Sequence, residues 1–300
     1  MLRLPPRQLA YLMLAVVMLL WAGNSIVARA VRGEIPPLTL AFLRWSLGSL
    51  VFLPFSLPHV LRERRAILAA WKPILLLGLL GVAAFNAFLY SGLRHTSASN
   101  GLLLQAAIPA LVLAFNRLLF RVRPERGDLI GVALAVLGVA VIMFRGDLAA
   151  IAGLAFGRGD LLVLCAVVAW ALYTTLLRLR PAIHPASFLA VTFLIGAATM
   201  GVLAITEWQE VVAIRWTPAT LAAVGYVAIF PSVIAYALFN AAVQTLGAGK
   251  AGQAITLMPL FGAFLAAATL GEALLPFHWV GMACILGGIL VSAVSLPRRG

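Results

Sequence analysis

The chain has 300 residues, of which 63% are hydrophobic and 10% charged, with a mean hydropathy of +1.07 and a net charge of +13. A water-soluble globule of this length could not hide that much apolar surface, so lipid is the solvent for most of it. That excludes a soluble enzyme or binding module, and the lack of polar–apolar alternation excludes a membrane β-barrel.

Ten apolar spans fill the chain, at 9–28, 38–57, 73–93, 97–119, 128–144, 160–178, 187–206, 219–242, 251–270 and 279–296, leaving nothing for a soluble domain. At about 1.5 Å per residue each can cross the hydrocarbon core as a helix, the fifth only just. The first follows Arg3 and Arg7 and ends near Ala28 and Ala30, as a secretory signal would. Its apolar run is longer than a signal core, and its Trp21 has a counterpart further on, so a retained helix is expected. Trp21 and Asn24 share one helical face.

Arg44, in the second span, is the one charge well inside any span. It lies about 9 Å from the span's outer start. Two readings stand: it snorkels outward, or it meets a substrate carboxylate, because charge inside a membrane is expensive and usually functional. Pro54 has no counterpart and reads as structural. The third span carries Asn86 and Tyr90, four apart and so on one face. In the fourth, Pro109 removes a backbone donor and frees the carbonyl of Gln105. The fifth has Gly131 and Ala135 at four-residue spacing.

Trp170 and Tyr173 in the sixth span repeat the theme of Trp21 and Asn24. The eighth holds Tyr236 and Asn240, again four apart, and a Pro231 without partner in the other half. In the ninth, Pro259 frees the carbonyl of Ile255, and Gln253, like Gln105, either reaches a cavity or bonds between helices. Lys250 anchors to headgroups at its inner end. Ala283 and Gly287 in the tenth span, with Gly131 and Ala135 in the fifth, permit close helix contact within the chain or between two chains, as a homodimer through helices five and ten. Cys165 and Cys284 lie in apolar spans and read as small hydrophobes. Trp71, Trp208, Trp216 and Trp279 fall at span ends, where an interfacial belt is expected.

The two groups of five spans echo each other. Trp21 aligns with Trp170 at an offset of 149, Pro37 and Gly48 with Pro185 and Gly196 at 148, and Asn86, Tyr90 and Pro109 with Tyr236, Asn240 and Pro259 at 150. Gly131 and Gly138 fall on Gly281 and Gly288. Five is odd, so the second group enters the bilayer upside down. The expected fold is all-α: ten transmembrane helices as two inverted five-helix repeats, 1–150 and 151–300, around a central cavity.

The charge supports this topology and excludes a nucleic-acid surface. With the N-terminus inside, inner segments hold 15 Lys/Arg and 3 acids, and outer segments hold 6 of each. Basic residues sit at helix ends rather than on one folded face, which places both termini in the cytoplasm.

The Trp-Ala-Gly-Asn beginning at Trp21, the Thr96-to-Pro109 segment and the Leu246-to-Glu272 segment resemble the drug/metabolite transporter superfamily, and within it the EamA-type permeases. The resemblance covers the whole chain. It implies a bacterial inner-membrane protein whose cavity is lined by helices one to four and six to nine, with helices five and ten peripheral. It also implies export of amino acids or metabolites, one branch exporting aromatic amino acids.

The residues themselves point to transport. Equivalent proline breaks in the two halves mark a midplane site, unless they only curve the helices for packing. Trp21, Asn24, Asn86, Tyr90, Gln105, Trp170, Tyr173, Tyr236, Asn240 and Gln253 would line it with Arg44, and Pro109 and Pro259 would gate it; the other reading of each buried Trp or Tyr is packing with a satisfied polar tip. An aromatic lining with a few amides suits a neutral or zwitterionic molecule bearing an apolar or aromatic side chain. No carboxylate lies deep in a span, which argues against proton-coupled cation export, and no central pair of cations is present to hold a phosphate. No cofactor, metal ligand set or catalytic group at membrane depth is legible, so an enzyme is not expected. An exporter of another metabolite or drug-like compound, or a channel, is the alternative.

Overall fold

The computed structural model describes residues 5–31, 33–96, 104–144, 147, 157–270 and 274–294. Its described residues form ten helical rods. The first five are α1 (Pro6–Ala30), α2 (Pro37–Ala69), α3 (Trp71–Leu93), α4 (Ile108–Phe120) and α5 (Arg126–Met143). The second five are α6 (Arg158–Leu176), α7 (Pro185–Ala204), α8 (Pro218–Leu246), α9 (Ala248–Gln253 and Leu257–Leu270, joined by a 3-10 turn over Ala254–Thr256) and α10 (Pro276–Val294). Residues 97–103, expected to begin the fourth helix, lie outside the described set. Seven of the helices are by themselves long and apolar enough to cross a membrane.

Prolines start many of these rods. α1, α2, α7 and α8 each carry Pro in the first turn, where its missing N–H removes no intrahelical bond. α5 and α6 instead begin with an aspartate at the third position. Asp128 accepts the Glu125 N–H at 3.4 Å and Asp160 accepts the Gly157 N–H at 2.8 Å, each placing negative charge at the positive end of the helix dipole.

α2 departs from expectation. It was expected to end at 57, yet it continues through Pro54 and Pro58 to Ala69, a 33-residue helix. At about 1.5 Å per residue that exceeds the hydrocarbon thickness, so the last turns, with Arg62, Arg64 and Arg65, project past it. What holds the extension is Glu63, which accepts the His184 N–H at 3.0 Å and the Ser187 hydroxyl at 2.6 Å, and so caps α7. His59 stacks on His184 beside it at 3.7 Å. At the opposite end of the same pair the arrangement recurs in reverse. Glu207, just past α7, accepts Leu38 N–H at 3.2 Å, Thr39 N–H at 2.9 Å and the Thr39 hydroxyl at 3.0 Å. The equivalent helices α2 and α7 therefore run antiparallel, each capped by a carboxylate from its partner.

α5 and α10 pack equally closely. A Cβ on Gly131 would stand 2.5 Å from the Gly288 carbonyl, and one on Gly138 the same distance from that of Gly281. The small-residue contact is thus made within the chain, and through Gly281 and Gly288 rather than Ala283 and Gly287. Gly287 has open space about it and Ala283 is exposed. Trp71, Trp208, Trp216 and Trp279 are each more than half exposed, at 54%, 65%, 51% and 56%. That is the setting expected of belt residues.

Candidate functional site

The centre of the fold is built on two interruptions of helical geometry. Residues Leu79–Ala84 of α3 and Ile229–Ile234 of α8 are π-helical, and they are equivalent under the 150-residue offset. A π turn widens the helix and releases carbonyls from the regular ladder. Pro231 drives the second by removing an N–H. In the first, the equivalent residue is Gly81, where a Cβ would run into the Tyr173 ring.

Each half holds the other half's released carbonyl. The Tyr236 hydroxyl donates to Gly81 O at 2.7 Å. The Trp21 Nε1–H donates to Pro231 O at 2.9 Å, and Arg44 Nη2 reaches the same oxygen at 3.2 Å. Pro231, read from sequence as structural, is thus an acceptor at the site. Trp21 meets Trp170 edge-on with ring centroids 5.1 Å apart, Trp170 lies 5.2 Å from Tyr173, and Trp45 lies 5.1 Å from both Tyr236 and Phe193. Trp21, Trp170, Tyr173 and Tyr236 come together as expected, but their rings close on one another instead of lining an open chamber.

Arg44 does not snorkel: it is 4% exposed. Its Nε donates to the Ser232 hydroxyl at 2.5 Å and its Nη1 to the Tyr90 hydroxyl at 3.2 Å, and its guanidinium stacks 4.7 Å from the Trp45 ring. Every one of these partners is neutral, and the described ion pairs are those of Arg94 with Glu207 and Glu210. A buried cation held only by dipoles bears an uncompensated desolvation penalty.

The amides take different places. Asn86 turns back to Val82 O on its own helix at 2.7 Å. Asn240 accepts the Tyr173 hydroxyl at 2.7 Å, while its Nδ2 has no partner among the described residues, nor do Asn24 Oδ1 and Trp170 Nε1. Gln253 leaves the site: its Nε2 donates to Gly288 O at 3.0 Å and ties α9 to α10, where a membrane interior rewards a satisfied amide. Gln105 is half-buried beside a void of about 10 Å³ that it shares with Pro259. The helices break one turn before both prolines. Ala107 bonds Leu104 in a 3-10 pattern before α4 starts, and the 3-10 turn Ala254–Thr256 precedes Pro259.

Open space lies to one side of the rings. A cavity of about 620 Å³ sits among the ends of α4, α6 and α8 and the starts of α5 and α9, with Arg123, Arg178, Arg180 and Lys250 on its walls. Its innermost residues, Thr174 and Thr175, follow Tyr173 directly on α6. Partial burial holds the Arg180 guanidinium below its ordinary pKa. At the opposite end, Arg94 bonds Glu207 at 2.6 Å above the α2 cap. Among the described residues, the open volume thus lies at the basic end, and at the other Glu207 ties the start of α2 to the end of α7 and to Arg94. Among the described residues no three His, Cys, Asp or Glu side chains cluster to hold a metal.

Sequence reasoning missed Gly81, Ser232, Trp45, Thr174 and Thr175. The matched offset of Gly81 and Pro231 was a usable signal, but a π turn has no hydrophobic period of its own.

A model of the EamA-like transporter family matches residues 8–144 and again 157–294. An uncharacterized transporter of Archaeoglobus fulgidus is 27% identical, over 95% of this chain and 97% of its own. The uncharacterized transporter YetK of Bacillus subtilis is 27% identical over 95% of this chain and 87% of its own, and the uncharacterized inner membrane transporter YedA of Escherichia coli K12 is 25% identical over 94% and 88%. A solved crystal structure with 20% identity has a TM-score of 0.76, covering 94% of this chain and 95% of that one. Two family repeats spanning nearly the whole sequence, on an all-helical multi-pass fold, make the chain a member of the EamA-like transporter family.

Proposed function

We propose that this protein is an alternating-access carrier that exports, or moves down their gradient, small zwitterionic metabolites, foremost amino acids with aromatic or apolar side chains. The carrying observation is Arg44: a buried cation among rings of both halves, with no carboxylate to neutralise it among the described residues. A substrate carboxylate would supply the missing charge, and the face of Trp170 and Tyr173 would receive an apolar side chain. The Trp170 and Asn240 donors, without partners among the described residues, offer further polar contacts.

The positive-inside rule makes the basic end cytoplasmic, with both termini on that side and the protein in the inner membrane. The present state is then inward-open, ready to load cargo for export. The two π segments and the breaks before Pro109 and Pro259 are hinges about which the halves rock. The packed ring layer between the cavity and the Glu207 latch favours a carrier over a channel, since a pore needs a continuous polar path.

The test is counterflow of L-phenylalanine in proteoliposomes with the wild type and Arg44→Gln. Saturable, counterflow-stimulated uptake that is lost in the variant, with folding intact by thermal melt, is expected. Wild-type rates in R44Q would remove Arg44 from substrate binding. Abolition of wild-type uptake by collapsing the proton gradient would replace the facilitator version with a coupled one.

A further inference from the structure

We infer that the basic cavity is itself a binding station, distinct from the ring layer, that takes the carboxylate of an organic acid or amino acid before it reaches Arg44; this rests on the carrier reading above. The first observation is charge. Arg180 and Lys250 are half-buried in the walls, and among the described residues neither has a carboxylate within ion-pair distance. The cavity's acids do not fill that role. Asp128 is occupied by the Ser292 hydroxyl at 2.6 Å and by the Glu125 N–H; Glu125, whose Oε2 has no partner among the described residues, sits with it at the start of α5, and the four basic side chains outnumber the two acids.

The second observation is independent of charge. Thr174 and Thr175 are fully buried at the inner limit of the cavity, and neither hydroxyl has a partner among the described residues. A hydroxyl withdrawn from bulk water without a partner is unfavourable, and these two residues border the open volume with their hydroxyls closed off from it in this state. Gln244 adds a third polar group. With its amide turned so that the oxygen faces Arg180, it lies 3.2 Å from Nε and Nη2, which fixes the guanidinium plane at the wall.

Planar guanidinium and ammonium form a set that suits a carboxylate, and the two unpartnered hydroxyls lie at its border. A volume of about 620 Å³ admits a molecule of amino-acid size with room for its side chain. The buried ring layer begins at Tyr173, the residue before Thr174 on α6. The station thus sorts cargo by charge first, admitting carboxylates and repelling amines, and the ring layer then sorts by side chain. The same cations would enrich anions at the mouth of the cavity.

The experiment uses the full chain in nanodiscs and three probes of matched size: 3-phenylpropanoate, 2-phenylethylammonium and 3-phenylpropan-1-ol. Binding is measured calorimetrically, with melting temperature as the check on folding. 3-Phenylpropanoate is expected to bind at least about tenfold more tightly than the other two. Arg180→Gln should weaken it by about tenfold or more, as loss of a charge-assisted contact does. Thr174→Val and Thr175→Val, nearly isosteric, should each weaken it several-fold, and raised salt should weaken the wild type. The two readings fail separately: wild-type counterflow in Arg44→Gln would sink the carrier reading alone, and wild-type binding in Arg180→Gln would sink the station alone. Equal affinity for the three probes, an R180Q protein that is folded and binds as the wild type, or inorganic phosphate competing as well as 3-phenylpropanoate would each overturn the station.

Discussion

Glu207 joins the start of α2 to the end of α7 and to Arg94, and if it acts as a latch its contribution can be worked out from its contacts. It is 2% exposed and accepts two backbone N–H groups of α2, the Thr39 hydroxyl and Arg94. Removing an N-terminal cap costs about 1 kcal/mol, up to ~2, and here two capping bonds go at once. Arg94 is 39% exposed, so its ion pair is largely screened and adds only about 0.2–1 kcal/mol. Glu207→Ala should therefore weaken the latch by about 2–4 kcal/mol, which is on the order of 30- to 1,000-fold in the closed-to-open ratio. Glu207→Gln keeps an oxygen for the cap and loses chiefly the ion pair and the charge–dipole attraction, about 1 kcal/mol, or roughly fivefold. The assay is the rate at which a membrane-impermeant maleimide, applied from the Glu207 end, labels Asn24→Cys in a chain lacking Cys165 and Cys284. Labelling should rise steeply in E207A and modestly in E207Q. A lowered melting temperature with unchanged labelling would show that Glu207 only caps α2 and does not latch the end.

The glycine contact between α5 and α10 predicts an asymmetry. Gly138→Leu meets the Gly281 carbonyl and should destabilise the fold by at least about 1–3 kcal/mol, whereas Gly287→Ala, in open space, should leave the melting temperature unchanged. Replacing Pro109 and Pro259 together by Ala should heal both helix breaks and slow counterflow turnover while leaving substrate affinity near wild type; unchanged turnover would count against gating there.

Much of the site was legible because the duplication sets like against like. Trp21 pairs with Trp170 in sequence and in space, and the proline breaks appear in both halves. Arg44 shows where that reasoning stops. Its depth in the second span was legible, but whether it snorkelled depended on which neutral oxygens stood near. Those came from Tyr90 on the third helix and from Pro231 and Ser232 on the eighth, some 190 residues away. Gln253 shows the same limit, because an amide in a membrane helix has several partners within reach and only packing chooses α10 over the cavity.

By itself, the amino-acid sequence determined the solvent, the number and order of the helices, and the equivalence of the halves. Those follow from transfer energy summed over twenty-residue windows and from repeated residue identity, which need no neighbours. The tertiary structure decided the rest. It made α2 outrun its apolar span, because Glu63 found the start of α7 to cap. It turned Gly81 and Pro231 into acceptors, because each π turn releases a carbonyl that a hydroxyl, indole or guanidinium from the opposite half takes. It also put the open volume at the basic end, through contacts between distant helices that no local pattern encodes.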